Sequence, residues 1–263
     1  MNDKIKKLIN EAIIKIIEHT SSQEKIKHLQ NKHNVKIHFI PKRYRIFGGI
    51  LQSMNIQFGN FIEVLMTLFI KSDGRYEIIS DYSGKKSNSF ELSSKNEELI
   101  DKYITRCQTE NININVEFPK LLEQLIVDAN EQIIKFKHDI DLLFKDTMTD
   151  KIYYLECKYN DDHDTGKFVD INRKFIKTYA YLAKKLNITN SNKLIPILFF
   201  FTNKKMKGNI YIPEGSNIRR GKNFFEEFLK IKYDDVDQCL LTLSESSETI
   251  KAFKDLYDKT MSM

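Results

Sequence analysis

The chain has 263 residues, of which 41% are apolar and 30% charged, and its formal net charge is +6. This length suits one large domain or a core with extensions, and the apolar content is sufficient for a buried core. No apolar run approaches the roughly 18 residues that cross a bilayer, which argues against an integral membrane protein.

The N-terminal fifth of the chain is basic. Residues 1–50 carry 11 Lys or Arg and 4 Asp or Glu, so this segment holds the whole positive excess. A basic extension on a balanced body is typical of a protein that binds a polyanion, but a solvated helix in a lysine-rich proteome looks the same. The segment has no signal-peptide cleavage pattern, which indicates a cytoplasmic protein.

Hydrophobic periodicity predicts mainly helices before the centre of the chain. Pro41 and Gly48-Gly49 indicate a loop that carries the cationic residues 42–45. The predicted elements are helices over 3–18, 23–33 and 58–71, a strand over 75–81, and helices over 95–108 and 117–135.

Beyond the centre, a helix is predicted over 168–186. The most apolar run of the chain, residues 194–202, is predicted to be a central buried strand. A helix between two strands indicates a crossover connection with parallel pairing. The remaining predictions are a short strand at 210–212 and helices over 222–231 and 245–259.

The central stretch, residues 137–158, reads KHDIDLLFKDTMTDKIYYLECK. Two strand-forming runs are separated by a polar turn at 145–151. Side chains alternate along a strand, so Glu156 and Lys158 share one face while Cys157 points to the other. These charges end a nearly continuous apolar run, which indicates a buried strand whose end opens into a cleft.

The turn indicates how the two strands pair. A hairpin centred between residues 148 and 149 places Asp141 opposite Glu156, with the side chains roughly 5 Å apart. Carboxylates at that distance repel unless a positive charge lies between them, and a hard divalent cation such as magnesium fits. Lys158 is then placed to orient a water or to offset phosphate charge. A slip of one residue would void this arrangement, and a surface hairpin with a Glu–Lys pair is the plainer alternative.

Asp141 followed by Glu156-Cys157-Lys158 resembles the PD-(D/E)xK nuclease superfamily, in which an acidic residue on one strand precedes E-x-K on the next. The resemblance covers about residues 58–205. It implies an α/β fold, a restriction-endonuclease-like core with a mixed central sheet flanked by helices, and helical N- and C-terminal additions. Ile140 stands where the superfamily has proline, so Asp139 stays open as an alternative to Asp141.

The stretch from HDIDLLF to YNDDHDTGKF is similar to restriction enzymes of the HinfI type. This resemblance implies a type II restriction endonuclease that cleaves double-stranded DNA at a short, roughly palindromic site, with GANTC as the candidate target. A homodimer is expected, because symmetric sites are read by two-fold symmetric proteins. A cognate DNA methyltransferase is implied genetically and not as a bound partner. The corresponding segments are a basic helical extension (1–57), the nuclease core (58–205) and an extension packed on the core (206–263).

The resemblance also implies which residues act. Asp141, Glu156 and Lys158 are the expected catalytic residues of a magnesium-dependent phosphodiester hydrolysis. The two carboxylates are the expected magnesium ligands, and the carbonyl of Cys157 is a further one.

Glu63 is an additional candidate magnesium ligand. It is the single charge in a run of large apolar residues, and superfamily members often place such a Glu on the helix before the core. Its other interpretation is a position at the solvent edge of that helix. The weaker alternatives to Glu63 are Glu123 and Glu131.

Four polar segments are expected to contact DNA. The clusters at 42–45 and 219–222 are almost purely cationic, which predicts contacts to phosphates. Residues 160–167 combine amide, carboxylate, imidazole and hydroxyl groups, which predicts contacts to base edges. The candidate DNA-binding residues are Lys42, Arg43, Arg45, Asn160, Asp162, His163, Lys167, Arg173, Arg219 and Arg220.

Two other functions stay open at this level. One is a structure-selective repair or junction nuclease of the same fold, and the other is a non-catalytic DNA-binding module. Long duplex DNA digested with and without magnesium separates the three functions. They predict discrete bands, a smear or branch-specific cuts, and no cleavage, respectively.

Overall fold

The computed structural model describes residues 3–84, 89–127, 132–162 and 164–263. The chain divides into two compact units: the sheet unit, residues 65–230, and the terminal unit, residues 1–64 with 231–263. In chain order the elements are α1 (Asp3–Thr20), α2 (Gln23–Asn34), α3 (Lys42–Asp73), β1 (Tyr76–Ile78), β2 (Ser89–Ser93), α4 (Ser94–Thr109), α5 (Ile114–Ile126), β3 (Ile133–Lys137), β4 (Leu142–Asp146), β5 (Ile152–Lys158), α6 (Thr165–Lys185), β6 (Leu194–Phe200), β7 (Ile218–Arg220), α7 (Gly221–Phe228), α8 (Tyr233–Ser244) and α9 (Ser247–Met261).

The sheet unit is built on a five-stranded sheet in the order β1-β4-β5-β6-β7. The pairs β1–β4 and β4–β5 are antiparallel, whereas β5–β6 and β6–β7 are parallel. The predicted α/β class with a mixed central sheet is therefore confirmed. The crossover is confirmed as well, because α6 connects the parallel neighbours β5 and β6.

The two faces of this sheet are covered differently. Helices α4, α5 and α6 pack on one face, around buried residues such as Leu143, Tyr154 and Leu198. The other face carries an aromatic cluster, in which the rings of Phe144 and Tyr153 contact Phe228 of α7 with centroids 6.2 and 5.0 Å apart. Each large side chain buried in this way stabilises the fold by about 1.5–3 kcal/mol. Strand β5 is therefore packed on both of its faces.

The hairpin β4–β5 has the predicted register. Leu142 pairs with Leu155 and Lys145 with Ile152, so the residue before β4, Asp141, faces Glu156. The turn fixes this register, because the Asp146 backbone N–H donates to the Lys151 carbonyl at 2.8 Å and so closes the hairpin in one alignment.

Asp146 anchors the turn of the same hairpin. Its buried carboxylate accepts hydrogen bonds from the Arg75 guanidinium at 2.6 and 3.1 Å, from the Met148 backbone at 2.9 Å and from the Thr149 hydroxyl at 2.7 Å. The hydrogen bonds from Arg75 hold the pKa of Asp146 well below its usual range. A fully satisfied carboxylate of this kind resists displacement of the turn.

The terminal unit has its own small core. Its buried residues come from four helices, and they are Ile17, Ile26, Leu29, Ile46, Ile50, Met54 and Leu256. Helix α3 contributes residues to both units. By length and composition alone α3 is apolar enough to cross a membrane, a property that it shares with core helices of globular proteins.

The predicted loop is confirmed at Pro41, which immediately precedes α3, but it is wrong for residues 42–49, because Gly48-Gly49 lies inside that helix. The Pro41 carbonyl accepts a hydrogen bond from the Tyr44 backbone at 3.1 Å, and a proline at this position removes no helical hydrogen bond. A Cβ on Gly49 would lie 3.1 Å from a methyl carbon of Leu29 on α2. The glycine therefore permits a close approach of two helices, not a turn.

Two further element predictions are wrong. The predicted helix over 117–135 ends at Ile126, and Ile133–Lys137 is strand β3, which pairs with β2 in a second, two-stranded sheet. Residues 210–212 form a turn in which the Asn209 side chain accepts two backbone hydrogen bonds, and the nearby strand is β7. Helix α8 was not predicted.

The two units do not coincide with the predicted segments 1–57, 58–205 and 206–263. Strand β7 and helix α7 belong to the sheet unit, while residues 231–263 group with the N-terminal helices.

Candidate active site

Three of the predicted site residues meet at the end of β5. The Asp141 carboxylate accepts a hydrogen bond from the Cys157 backbone N–H at 2.7 Å, which fixes it against the end of this strand. Glu156 and Lys158 are on the same face, as the period of two predicted, and their side chains are 2.7 Å apart. The hairpin register thus brings Asp141 and Cys157, which are sixteen positions apart in sequence, into contact.

The ammonium of Lys158 lies among three oxygen groups. Its Nζ is 2.7 Å from Glu156 Oε1, 3.1 Å from the Cys157 carbonyl oxygen and 3.9 Å from Asp141 Oδ2. Burial alone would lower the pKa of Lys158, but the charges of Glu156 and Asp141 outweigh burial and raise this pKa above its ordinary value. Lys158 therefore stays protonated at neutral pH.

This oxygen set fits a divalent metal ion. Two carboxylates and one carbonyl are hard ligands of the kind that magnesium prefers, and they already converge on a positive charge. Among the described residues, no group of three or more His, Cys, Asp or Glu side chains is arranged to hold a metal. The remaining ligands would therefore be water and substrate phosphate, as is usual for magnesium.

A series of polar side chains connects the Glu156 carboxylate to helix α6. The hydroxyl of Tyr154 donates to Glu156 Oε2 at 3.2 Å, and Nε2 of His138 lies 3.7 Å from Oε1. Nδ1 of His138 is in turn 2.8 Å from the hydroxyl of Thr178 on α6. Burial raises the pKa of Tyr154 far above its usual value and lowers the pKa of His138, so both groups are neutral.

Sequence reasoning missed these supporting residues. Tyr154 shares the strand face of Glu156, so the period of two would have found it. His138 precedes β4 and Thr178 lies on the crossover helix, and only the packing of α6 on the sheet brings them together.

The acidic residues that were alternative candidates for the metal site lie in different environments. Asp141 lies beside Glu156 and Lys158, which favours it over the half-buried Asp139 as the hairpin aspartate. Glu63 is half-buried on α3 in the terminal unit, so its part in the site stays a prediction. Glu123 is exposed on α5, and Glu131 lies outside the described residues.

The loop that follows β5 has both a buried and an exposed part. Asp161 is buried, and its carboxylate accepts hydrogen bonds from the backbone of Met206 at 2.9 Å and of Lys207 at 3.2 Å. Asp162 and Lys167 are exposed, and Asn160 is half-buried with its side chain accepting from the Asp162 backbone. The predicted contacts of these three residues to bases stay predictions. His163 lies outside the described residues.

The cationic cluster predicted at 219–222 is not a free phosphate-binding patch. Arg220 is buried, donates to Asp161 and Glu214 at 2.9 Å each and lies over the ring of Phe200. The prediction that Arg220 contacts a DNA phosphate is therefore wrong, because its guanidinium is buried and paired with carboxylates of the protein.

Two further candidate arginines also have acidic partners. Arg219 forms an ion pair with Glu227 at 2.5 Å and donates to the Gly215 carbonyl. Arg173 lies 2.9 Å from Asp101. Both side chains are therefore held on the sheet unit by local charge pairs, and their contacts to DNA stay predictions.

The cluster at 42–45 remains open to solvent. Lys42 and Arg43 are exposed on the first turn of α3, and Arg43 lies over the ring of Tyr44. Arg45 is half-buried and donates to the Lys36 carbonyl at 3.3 Å. These residues lie on a helix and not on a loop, and the side chains of Lys42 and Arg43 are exposed. The predicted contacts of this cluster to DNA stay predictions.

An aspartate opposite a glutamate, with a lysine one pleat further along a strand of a mixed sheet, defines the class of PD-(D/E)xK nucleases. The comparisons with known proteins agree with this class. Residues 1–244 match the family model described as "Type II restriction endonuclease, HinfI". The chain is also 62% identical over 264 residues to the type II restriction enzyme HinfI of Haemophilus influenzae, with both chains covered completely.

The chain therefore belongs to the HinfI family of type II restriction endonucleases and is a sequence-specific DNA endonuclease. Enzymes of this kind act on DNA and generally need a divalent metal ion. No solved structure matches the chain significantly.

Proposed function

We propose that the chain cleaves double-stranded DNA at a short, roughly palindromic site in a magnesium-dependent reaction centred on Asp141, Glu156 and Lys158. The observation that supports this proposal is the convergence of two carboxylates and the Cys157 carbonyl on one positive charge at the end of β5. Carboxylates in such a position hold magnesium, which polarises the scissile phosphate and lowers the pKa of a bound water.

Each residue then has a definite task. Asp141 and Glu156 would hold the ion. Lys158, on the same strand face as Glu156, would offset the negative charge that develops on the phosphate. Tyr154 and His138 keep the Glu156 carboxylate in one orientation, so that little reorganisation is needed during the reaction.

The biological setting follows from the same family. The protein acts in the cytoplasm as a homodimer, because a roughly palindromic target such as GANTC is matched by a two-fold axis. A cognate methyltransferase protects host sites and is linked genetically. Asn160, on the loop after the catalytic strand, contacts the target bases, so Asn160→Ala lowers cleavage of the cognate site more than non-specific binding.

The test uses long duplex DNA, Glu156→Gln and a matched control on the same hairpin. The wild-type protein with magnesium should give discrete bands, and none with a chelator. Glu156→Gln keeps the shape of the side chain but removes its charge, so it should abolish cleavage. The control is Asp150→Asn, which removes an exposed carboxylate paired with Lys145 at the opposite end of the hairpin.

The control should cleave at the wild-type rate. A folded Glu156→Gln protein that still cuts normally would falsify the assigned chemistry. A smear in place of bands would instead reject sequence specificity.

The proposed role of Glu63 has a separate test. Glu63→Gln should weaken the dependence of cleavage on magnesium without changing thermal stability. An unchanged magnesium titration would remove Glu63 from the metal site and leave Asp141 and Glu156 as its carboxylate ligands.

A further inference from the structure

A basic groove lies between α2 and α3 of the terminal unit. Its volume is about 470 Å³, and it is lined by the polar face of α2, the segment that connects the helices and the first turns of α3. The polar lining residues are Lys25, His28, Lys32, His33, Lys36, His38, Arg45, Gln52 and Ser53.

The charge of this groove has one sign. Among the described residues that line it are four Lys or Arg and three His, and none is acidic. Among the described lining residues, the large apolar side chains are Leu29 and Ile56, and none is Phe, Tyr or Trp. The groove is therefore suited to a polyanion that presents phosphates and not to an apolar ligand.

Two residues that line the groove each have a side-chain nitrogen without a hydrogen-bond partner among the described residues. These atoms are Nε of Arg45 and Nδ1 of His33, and both are shielded from solvent. Burial lowers the pKa of His33, and the charges of Arg45 and Lys36 lower it further. Arg45 and Lys36 are thus close enough to His33 to disfavour its protonated form. Cations clustered in this way stabilise a bound anion.

We propose that this groove is a second DNA contact, separate from the catalytic strand, and that it binds the phosphate backbone of the duplex without reading its sequence. The proposal rests on the proposed function, because the substrate supplies the polyanion. The groove supplies affinity at any sequence, in contrast to the active site, which needs a target positioned for cleavage.

Gly48 offers a way to block the groove without disturbing the core. It lines the groove, and a Cβ built on it meets no atom within 4 Å, so a longer side chain would extend into open space. Gly59 lies on the same helix with equally open surroundings and does not line the groove. Gly48→Glu and Gly59→Glu therefore form a matched pair with the same change of charge.

The experiment measures the affinity for a short duplex that lacks the cleavage site, over a range of salt concentrations and with a chelator present. Gly48→Glu should weaken binding at least tenfold relative to Gly59→Glu. The double substitution Lys32→Ala with Lys36→Ala should reduce the slope of log affinity against log salt by about 0.9 for each phosphate that the variant no longer neutralises. Thermal unfolding checks that each variant is folded.

Equal affinity of the two glycine variants, or an unchanged salt slope in the double substitution, would overturn the proposal. If Gly48→Glu does not fold, the double substitution alone decides, because it removes only exposed side chains. Chelated binding does not depend on cleavage, so these outcomes are separate from the digest that tests the proposed function. A protein that binds through the groove but never cuts would reject only the latter.

Discussion

The two units of this chain use their cations differently. In the sheet unit, three cations contact carboxylates that are almost inaccessible to solvent: Arg75 with Asp146, Lys158 with Glu156, and Arg220 with Asp161. In the terminal unit, cations line the basic groove between α2 and α3, and no acidic residue is among its described lining residues. In sequence the clusters at 42–45 and 219–222 look alike, yet Lys42 and Arg43 of the first are exposed, whereas Arg220 of the second is buried against a carboxylate.

The difference has a physical consequence. A cation paired with a buried carboxylate cannot be removed without stranding a charge in a poorly solvated place. An exposed cation contributes little to folding, but its field extends about 8–10 Å into the solvent and attracts a polyanion. Substitutions should therefore affect folding or chemistry in the sheet unit and DNA affinity in the terminal unit.

The largest expected effect is at Lys158. Lys158→Met keeps the length of the side chain but removes the charge that offsets the phosphate, so the single-turnover cleavage rate should fall by about 10²–10³-fold. Lys145→Met is the matched control, because it removes a partly exposed lysine from the same hairpin and should leave the rate unchanged. Equal rates for the two variants would contradict the assignment of Lys158.

The next largest effect is on stability, at Arg220. Arg220→Met strands the buried Asp161 and should lower the free energy of unfolding in urea by about 3–5 kcal/mol. Arg219→Met should cost less, because the partner of Arg219, Glu227, is 46% exposed and stays solvated when the arginine is removed. Similar losses for the two arginines would show that burial of the carboxylate partner does not decide the cost.

A third prediction concerns acid. The pKa of Asp146 is lower in the folded than in the unfolded chain, so its stabilisation is present above about pH 4 and is lost as the pH falls below that value. Asp146→Asn should cost about 2 kcal/mol at neutral pH. It should also flatten the decline of stability in urea unfolding between neutral and acidic pH, and an unchanged decline would show that other carboxylates cause it.

The smallest effect is expected at Arg43. Arg43→Ala removes an exposed cation, so the free energy of unfolding should stay the same, while the slope of log affinity for DNA against log salt should fall by about 0.9. The comparison of the two units would fail here if Arg43→Ala destabilised the fold while leaving that slope unchanged.

Much of the active site could be predicted because its geometry is local. The turn after β4 determines the pairing of β4 and β5, and that register brings Asp141, Glu156 and Lys158 together. Helix α6 and the apolar strand β6 were also predictable, since each has a strong period or a continuous apolar run. The prediction failed where apolar spacing suited two structures, as in β3.

The sequence by itself determined the pattern of the β4–β5 hairpin, the mixed α/β class and the basic character of the N-terminal segment. The tertiary structure decided which charges are available. Asp161 and Arg220 are separated by 59 residues, and only the packing of β7 beside β6 brings them into contact and removes Arg220 from the surface. Tertiary packing likewise brought Thr178 into contact with His138 and the cations of α2 into one groove with Arg45. Such contacts between distant elements depend on how the apolar faces of those elements are buried.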